Sequence, residues 1–286
     1  DALLGGDLFD GYASCNAPDG IQWGLSPLGC ATRFPMLAPL REAIFNTGDP
    51  RYIRWAVDHI MGYTRGYPIE TFAGQRLKDG WVSHFDMADP WYWCMWGRLQ
   101  QLSQTVNLVR RHTEMTDDEL VQILQRMYEE VSFVQFEMKE WVDTRHNGGL
   151  GLICDMACAL GILDHFRQSK GWRESVGAFT AQYIDEAFYP DGMCIELTTA
   201  YSASCSVQVQ RLAYSLRETE AIRACRPKFR EMVTCMVALA DPTWQVPSFG
   251  DLYAGTVDNY LDLDIIDWLD LPWADTVRRR KWEAPL

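Results

Sequence analysis

The run "LGLICDMACALGIL", from Leu150 to Leu163, most constrains how this chain can fold. It is apolar on nearly every helical face, and Asp155 is the exception. A helix that is apolar all round must be buried by its neighbours. The next segment, "GWRESVGAFTAQYIDEAF", carries its apolar side chains on one stripe only, which is typical of a surface helix. The pattern therefore predicts buried helices that alternate with amphipathic ones.

Helical periodicity extends over most of the chain, and strand signals are scarce. Thr116 and Glu119 have the spacing of a capping box, which predicts a helix from there to about Trp141. The segment from Arg33 to Asp49 carries Phe34, Leu37, Leu40, Ile44 and Phe45 at helical spacing, which predicts the first helix. The remaining predicted helices cover the segment after Pro50, Trp91 to His112, Thr198 to Leu216, Lys228 to Ala240, and a short stretch after Asp258.

Helices arranged as hairpins can form an open superhelix or a closed toroid. No repeat of fixed period is present, which argues against tetratricopeptide or HEAT arrays. The sequence therefore predicts an all-α fold, an incomplete (α/α) toroid of helical hairpins, in one domain covering residues 1–286. Residues 270–286 are expected to be a linker or the end of that domain. The basic run from Arg278 to Lys281 is interpreted as a solvated face.

Charge and cysteine content restrict the function. The net charge is −13, which argues against nucleic-acid binding. No apolar run approaches about 18 residues, so no transmembrane helix is predicted. The chain has 9 cysteines but no CxxC pair, so most are expected to be core residues rather than ligands or disulfides. No metal or cofactor is predicted.

Three loops that precede helices carry the candidate chemistry: "ADPWYWCMWGR", "TRHNGG" and "PDGMCIELTTAY". A phenol, an amide donor and an imidazole together suit proton abstraction beside a carboxylate. An arginine can bind a carboxylate through two parallel hydrogen bonds, and flat tryptophan faces can stack on sugar rings. The candidates are Tyr201, Asn147 and His146 for catalysis, and Arg98, Glu196, Trp93 and Trp96 for substrate binding.

Each candidate also has a structural interpretation. A Tyr at a helix start is often a half-buried core residue, and an Asn before Gly-Gly usually belongs to a turn. Arg98 can simply pack in an aromatic cluster. Asp191 and Glu196 form a possible carboxylate pair for a glycoside hydrolase, but the Pro-Asp-Gly turn favours a structural role for Asp191.

Taken together, the motifs resemble those of the heparinase II/III-like polysaccharide lyases and their alginate lyase relatives. "PDGMCIELTTAY" is similar to the family's "DG...E.S..Y" motif, and "PSFGD" is similar to its "P..GD". "LREAIFNTGDPRYIRWAVDHI" resembles the hairpin of the first helices. "IQWGLSP", "WYWCMWGR" and "HNGGLGLI" match three further segments, so the likeness covers most of the chain.

The resemblance implies an (α/α) toroid and β-elimination of a uronic-acid polysaccharide, so the expected partner is an acidic glycan. Tyr201 falls on the family's catalytic Tyr, and Asn147 on the residue that neutralises the uronate carboxylate. Glu196 falls on the Glu of the motif, and Arg98 on a substrate-contacting Arg. Gly148 stands where many members have His, and His146 precedes the Asn instead.

The family also has a C-terminal β-sandwich region with a further catalytic His, and this chain ends near where that region would begin. A second hypothesis is therefore a glycan-binding module without catalysis. The resemblance indicates a periplasmic or secreted protein, whereas the cysteine count favours a reducing compartment such as the cytoplasm.

Overall fold

The computed structural model describes residues 16–17, 20–21, 34, 37–66, 97–141, 147–195, 199–247, 255–261 and 263–283. Two short strands, β1 (Asn16–Ala17) and β2 (Gly20–Ile21), pair antiparallel. The other regular elements are helices: α1 (Leu37–Thr47), α2 (Pro50–Gly66), α3 (Arg98–Val109), α4 (Asp117–Trp141), α5 (Asn147–Leu160), α6 (Ser169–Ala187), α7 (Thr199–Ser215), α8 (Glu220–Ala238), a 3₁₀ turn (Val257–Tyr260), α9 (Leu263–Leu269) and α10 (Ala274–Glu283).

The chain divides into two compact units. The first comprises Asp1–Val142 and Cys154–Ser169, and the second comprises Asp143–Ile153 and Lys170–Leu286. In the first unit, α2 packs against α1, α3 and α4, and α1 also packs against α3. In the second unit, α7 packs against α8, α9 and the 3₁₀ turn, and α10 packs against α9. Helix α5 contributes residues to both units.

Local sequence signals set several helix starts. Glu119 N–H donates to Thr116 Oγ1 at 3.2 Å, and Thr116 N–H donates to Glu119 Oε2 at 2.9 Å. This reciprocal pair is the predicted capping box, and α4 begins directly after Thr116. Helix α2 begins at Pro50, whose missing N–H costs nothing in the first turn. Asp49 Oδ1 accepts the N–H of Arg51 at 2.8 Å and caps that turn.

The apolar stripes form the cores. Leu37, Leu40 and Ile44 of α1 are buried, whereas Phe45, which the sequence groups with them at helical spacing, is 81% exposed. The reason is that the buried stripe of α1 follows the 37, 40 and 44 spacing, and Phe45 lies about 100° round the helix from Ile44. Burial of each large aliphatic side chain contributes about 1.5 to 3 kcal/mol.

Helix α8 begins at Glu220, earlier than the predicted start at Lys228, and passes through Pro227. Its buried side chains share one face: Ile222, Phe229, Met232, Val233 and Met236. Pro227 lies on the exposed face, where water reaches the carbonyl that loses its partner. Buried apolar side chains on both sides of Pro227 therefore outweigh the helix-breaking signal of a single proline.

The C-terminal segment is helical. Val277 of α10 is fully buried, and Arg278 pairs with Asp267 and Asp275. Among the described residues, no helix combines the length and the apolar character needed to cross a membrane.

Candidate functional site

The segment that leads to Tyr201 is a tight hairpin in the second unit. Phe188 and Cys194 form an isolated antiparallel bridge, Tyr189 N–H donates to Met193 O at 2.8 Å, and Gly192 N–H donates to Tyr189 O at 2.9 Å. Asp191 Oδ1 accepts the N–H of Met193 at 3.0 Å. The carboxylate of Asp191 is thus engaged in its own turn, which supports the structural interpretation of this residue.

Two contacts hold this hairpin within the second unit. Gly192 has a φ of 90°, and a Cβ at this position would collide with the backbone carbonyl of Glu231 in α8. The hydroxyl of Ser202 donates to Met193 Sδ at 3.6 Å, and Ser202 is buried. Ser202 directly follows Tyr201, so the hairpin fixes the first turn of α7 against α8.

Asn147 and Tyr201 both lie in first turns of helices. Asn147 is the first residue of α5, and Tyr201 is the third residue of α7. The start of a helix presents free N–H groups and the positive end of the helix dipole, which favour an anion. The side chains of these two residues, and all of His146, Glu196, Trp93 and Trp96, lie outside the described part of the chain.

Arg98 is described, and it is the first residue of α3. Its Nε and Nη2 each lie 2.5 Å from Glu130 Oε1 of α4, and both side chains are 0% exposed. Arg126 Nη1 lies 3.8 Å from Glu130 Oε2, and Arg126 Nη2 donates to the hydroxyl of Tyr63 at 2.9 Å. The guanidinium carbons of Arg98 and Arg126 lie 5.7 and 5.1 Å from the Tyr63 ring centroid. Arg98 therefore belongs to a buried ionic cluster in the first unit.

Asp155 of α5 joins this cluster. Its Oδ1 accepts the backbone N–H of Gln100 at 3.3 Å, and the N–H of Leu99 also bonds to its carboxylate. The residue before α3, Gly97, has a φ of 83° and offers no side-chain cap. Asp155 thus caps α3 from another helix.

The environment of Asp155 disfavours its charge. Burial raises the pKa of Asp155 to about 7, although the nearby Arg98 cation and the two backbone N–H groups act in the opposite direction. Its Oδ2 is buried, and the described part of the chain offers it no hydrogen-bond partner. The sequence did carry a signal for this role, because a lone carboxylate in an apolar helix needs a polar partner.

The partners of this cluster were not predicted from the sequence. Glu130, Arg126 and Tyr63 lie on α4 and α2, far from Arg98 along the chain, and no local motif marks them. The structure places Arg98 in a structural ion pair, and its contact with substrate stays a prediction. Within the described ranges, no group of three or more His, Cys, Asp or Glu side chains is arranged to hold a metal ion.

The described cysteine side chains are buried or partly buried. Cys194 and Cys205 are buried, and the partly buried ones are Cys154, Cys158, Cys225 and Cys235. Burial raises the pKa of the Cys158 thiol to about 12 and that of Cys225 to about 11. These thiols are therefore not poised as nucleophiles.

Comparison with solved structures shows the fold. Heparan sulfate lyase HepC from Pedobacter heparinus aligns with a TM-score of 0.60 and 18% identity over 86% of this chain and 36% of that chain. A heparinase III aligns with a TM-score of 0.70 and 15% identity over 100% of this chain and 46% of that chain. The chain therefore spans less than half the length of these structures. The predicted fold class, an all-α (α/α) toroid of helical hairpins, is confirmed.

The sequence comparisons give the family. A search of curated proteins finds no match. The family model described as Heparinase II/III N-terminus matches residues 10–271, which is most of the chain. This match confirms the predicted resemblance, and the chain belongs to the heparinase II/III N-terminus family.

Proposed function

We propose that this chain is the helical part of a polysaccharide lyase that cleaves a uronic-acid glycan by β-elimination. The observation that carries the proposal is the family membership of residues 10–271, combined with the placement of Asn147 and Tyr201 in first turns of α5 and α7. Both residues belong to the second unit. The two solved structures named above are a heparan sulfate lyase and a heparinase III, which supports an acidic glycan as the substrate class.

In the proposed reaction, the amide of Asn147 donates a hydrogen bond to the uronate carboxylate. This bond makes the C5 proton more acidic because it stabilises the charge that develops on the carboxylate. Tyr201 removes the C5 proton, the bond from C4 to the glycosidic oxygen breaks, and a C4–C5 double bond forms. The leaving oxygen takes a proton from Tyr201 or from His146. The electron pair of the C–H bond becomes the new double bond, and no redox partner is needed.

A phenol with an ordinary pKa of about 10 is a weak base at neutral pH. In the proposal, the positive end of the α7 dipole stabilises the phenolate that Tyr201 needs in order to act as a base. The hairpin anchored by Gly192 and Ser202 supports a fixed position for that turn. Glu196, Arg98, Trp93 and Trp96 are proposed to contact the substrate.

Tyr201→Phe tests this function. The conjugated double bond of the product absorbs in the near ultraviolet, so turnover is followed directly on alginate, heparan sulfate, hyaluronan and chondroitin. We expect Tyr201→Phe to lower the rate on the preferred glycan by at least about 100-fold, the size of a general acid-base contribution. Tyr214→Phe, which deletes a hydroxyl from the same helix, is the matched control.

Full activity in Tyr201→Phe would contradict the assignment of this residue. Binding of uronate oligosaccharides without turnover, by the protein at its natural length, would replace the lyase proposal with the glycan-binding one. Release of saturated reducing sugars would favour a glycoside hydrolase instead. A periplasmic or secreted location follows from a polymeric substrate, and recovery in the cytoplasmic fraction would contradict it.

A further inference from the structure

An open groove of about 690 Å³ lies between α1 and the end of α3 in the first unit. Arg41 and Phe45 line one wall and are four residues apart, so they share a face of α1. Gln104, Asn107 and Arg111 line the other wall, at positions that share a face of α3 and its extension. The volume is in the range of small-ligand sites.

Arg41 brings an uncompensated positive charge to this groove. Its Nη1 donates to Gln101 Oε1 at 2.7 Å and to Thr105 Oγ1 at 3.2 Å, and both acceptors are neutral. In the described part of the chain, no carboxylate pairs with Arg41. Burial lowers the pKa of Arg41, because the half-buried guanidinium has lost water without gaining a counter-charge. A bound anion would supply the missing counter-charge.

The other groups in the groove point to the same kind of ligand. Arg111 is exposed, and across the described ranges no acidic side chain pairs with it. Phe45 is 81% exposed and offers an apolar face beside the two cations. Asn107 is an exposed amide that can both donate to and accept from hydroxyl groups.

We propose that the groove formed by Arg41, Phe45, Asn107 and Arg111 binds an acidic oligosaccharide. One arginine holds a carboxylate or sulfate group at each end, Phe45 covers the C–H face of a sugar ring, and Asn107 bonds to its hydroxyls. Glu42 lies on the same wall and repels a compact, multiply charged anion, so charges spaced along a sugar chain fit better. The choice of a saccharide rests on the proposed function, whereas the choice of an anion rests on the arginines.

Hydrogen-deuterium exchange gives a local test. The protein at its natural length, carrying Tyr201→Phe to prevent turnover, is titrated with uronate hexasaccharides from alginate and from heparan sulfate. We expect protection of residues 37–47 and 104–112. Arg41→Gln/Arg111→Gln is expected to raise the dissociation constant of the groove about tenfold, because two charge-assisted bonds are lost. Arg173→Gln/Arg223→Gln removes the same net charge from α6 and α8 and is the control.

The absence of protection in both segments would overturn the proposal, as would equal weakening in the control pair. Binding of a neutral hexasaccharide or of a glutamate peptide with equal affinity would also overturn it. Phe45→Ala and Arg111→Gln alone keep the test valid if the double variant is unstable, since both side chains are exposed. Protection in the Tyr201→Phe protein, together with no lyase activity in the parent, would contradict only the proposed function. Lyase activity in the parent without protection of these segments would contradict only the groove.

Discussion

Asp155 Oδ1 accepts the backbone N–H of Gln100 at 3.3 Å, so a carboxylate from the apolar helix α5 caps the start of α3. The same helix start carries Arg98, whose guanidinium is paired with Glu130. One buried cluster therefore satisfies two of the free N–H groups of α3, those of Leu99 and Gln100, and also neutralises its first side chain. Both links join residues that are distant in sequence, and both lie within the first unit.

The first prediction concerns Asp155 and pH. Its pKa is about 7 in the folded protein and about 3.8 ordinarily, so the folded state binds this proton more tightly. Stability from this group is therefore greatest at low pH and is lost as pH rises from about 3.8 to about 7. Asp155→Asn keeps an acceptor for Gln100 and removes the charge. We expect the stability of the variant relative to the parent to rise between about pH 4 and about pH 7 in urea titrations.

Asp164→Asn, which changes an exposed carboxylate beyond the same helix, is the control for this titration. A constant difference between Asp155→Asn and the parent at every pH would contradict the argument. Asp155→Ala is expected to lose about 1 to 3 kcal/mol at every pH, because it leaves buried N–H groups of α3 unpaired.

The second prediction separates the structural role of Arg98 from its proposed contact with substrate. Arg98→Met leaves the carboxylate of Glu130 buried without its main partner, and the expected loss of stability is about 3 to 5 kcal/mol. Arg98→Met/Glu130→Gln removes both charges, keeps a polar oxygen beside Arg126 and is expected to lose less than Arg98→Met alone. Urea unfolding gives both values. A stable Arg98→Met that binds uronate oligosaccharides poorly would instead favour substrate contact.

Local signals made much of the fold predictable. The capping box of Thr116 and Glu119 lies within one turn, so four residues of sequence contain all of its partners. The buried stripe of α5 is likewise readable, because burial on all faces requires apolar side chains on all faces. The exposure of Phe45 was not predictable from spacing, because Phe45 is adjacent to Ile44 and only the packing of α1 against α2 and α3 decides which of the two side chains is buried.

Long-range partners limited the prediction of the site. Nothing near Arg98 in the sequence indicates that Glu130 lies 2.5 Å from it, since that contact depends on how α3 and α4 pack. The motifs marked Asn147 and Tyr201 through family resemblance, and the structure adds their positions in first turns of helices. The Arg41 groove was missed because its two walls come from different helices.

The third prediction concerns His59 in α2. Its ring stacks on Trp55 at 5.0 Å and meets Phe34 edge-on at 5.9 Å, and burial lowers its pKa to about 4 from 6.5. The folded state therefore binds this proton less tightly, and stability is lost as pH falls from about 6.5 towards 4. His59→Phe keeps a stacked ring without a titrating nitrogen. We expect its unfolding midpoint in urea to fall less than that of the parent on acidification.

His165→Gln serves as the control, because the His165 side chain is 95% exposed. Its unfolding midpoint in urea should fall on acidification by as much as that of the parent. If His59→Phe and the parent lose the same stability over this interval, burial of His59 does not contribute to acid sensitivity.

The fourth prediction concerns the turn that precedes Tyr201. Gly192 has a φ of 90°, and any Cβ there would meet the carbonyl of Glu231. Gly192→Ala must strain the turn or push it away from α8, so we expect a loss of about 2 kcal/mol or more. Gly171→Ala in the exposed first turn of α6 meets no atom within 4 Å and should gain up to about 1 kcal/mol.

Because Ser202 ties α7 to this turn through Met193, Gly192→Ala should also lower the rate of the proposed glycan cleavage at temperatures where the variant stays folded. Unfolding midpoints and initial rates on the same preparations test both effects, and a variant as stable and active as the parent would show that the turn does not position the start of α7.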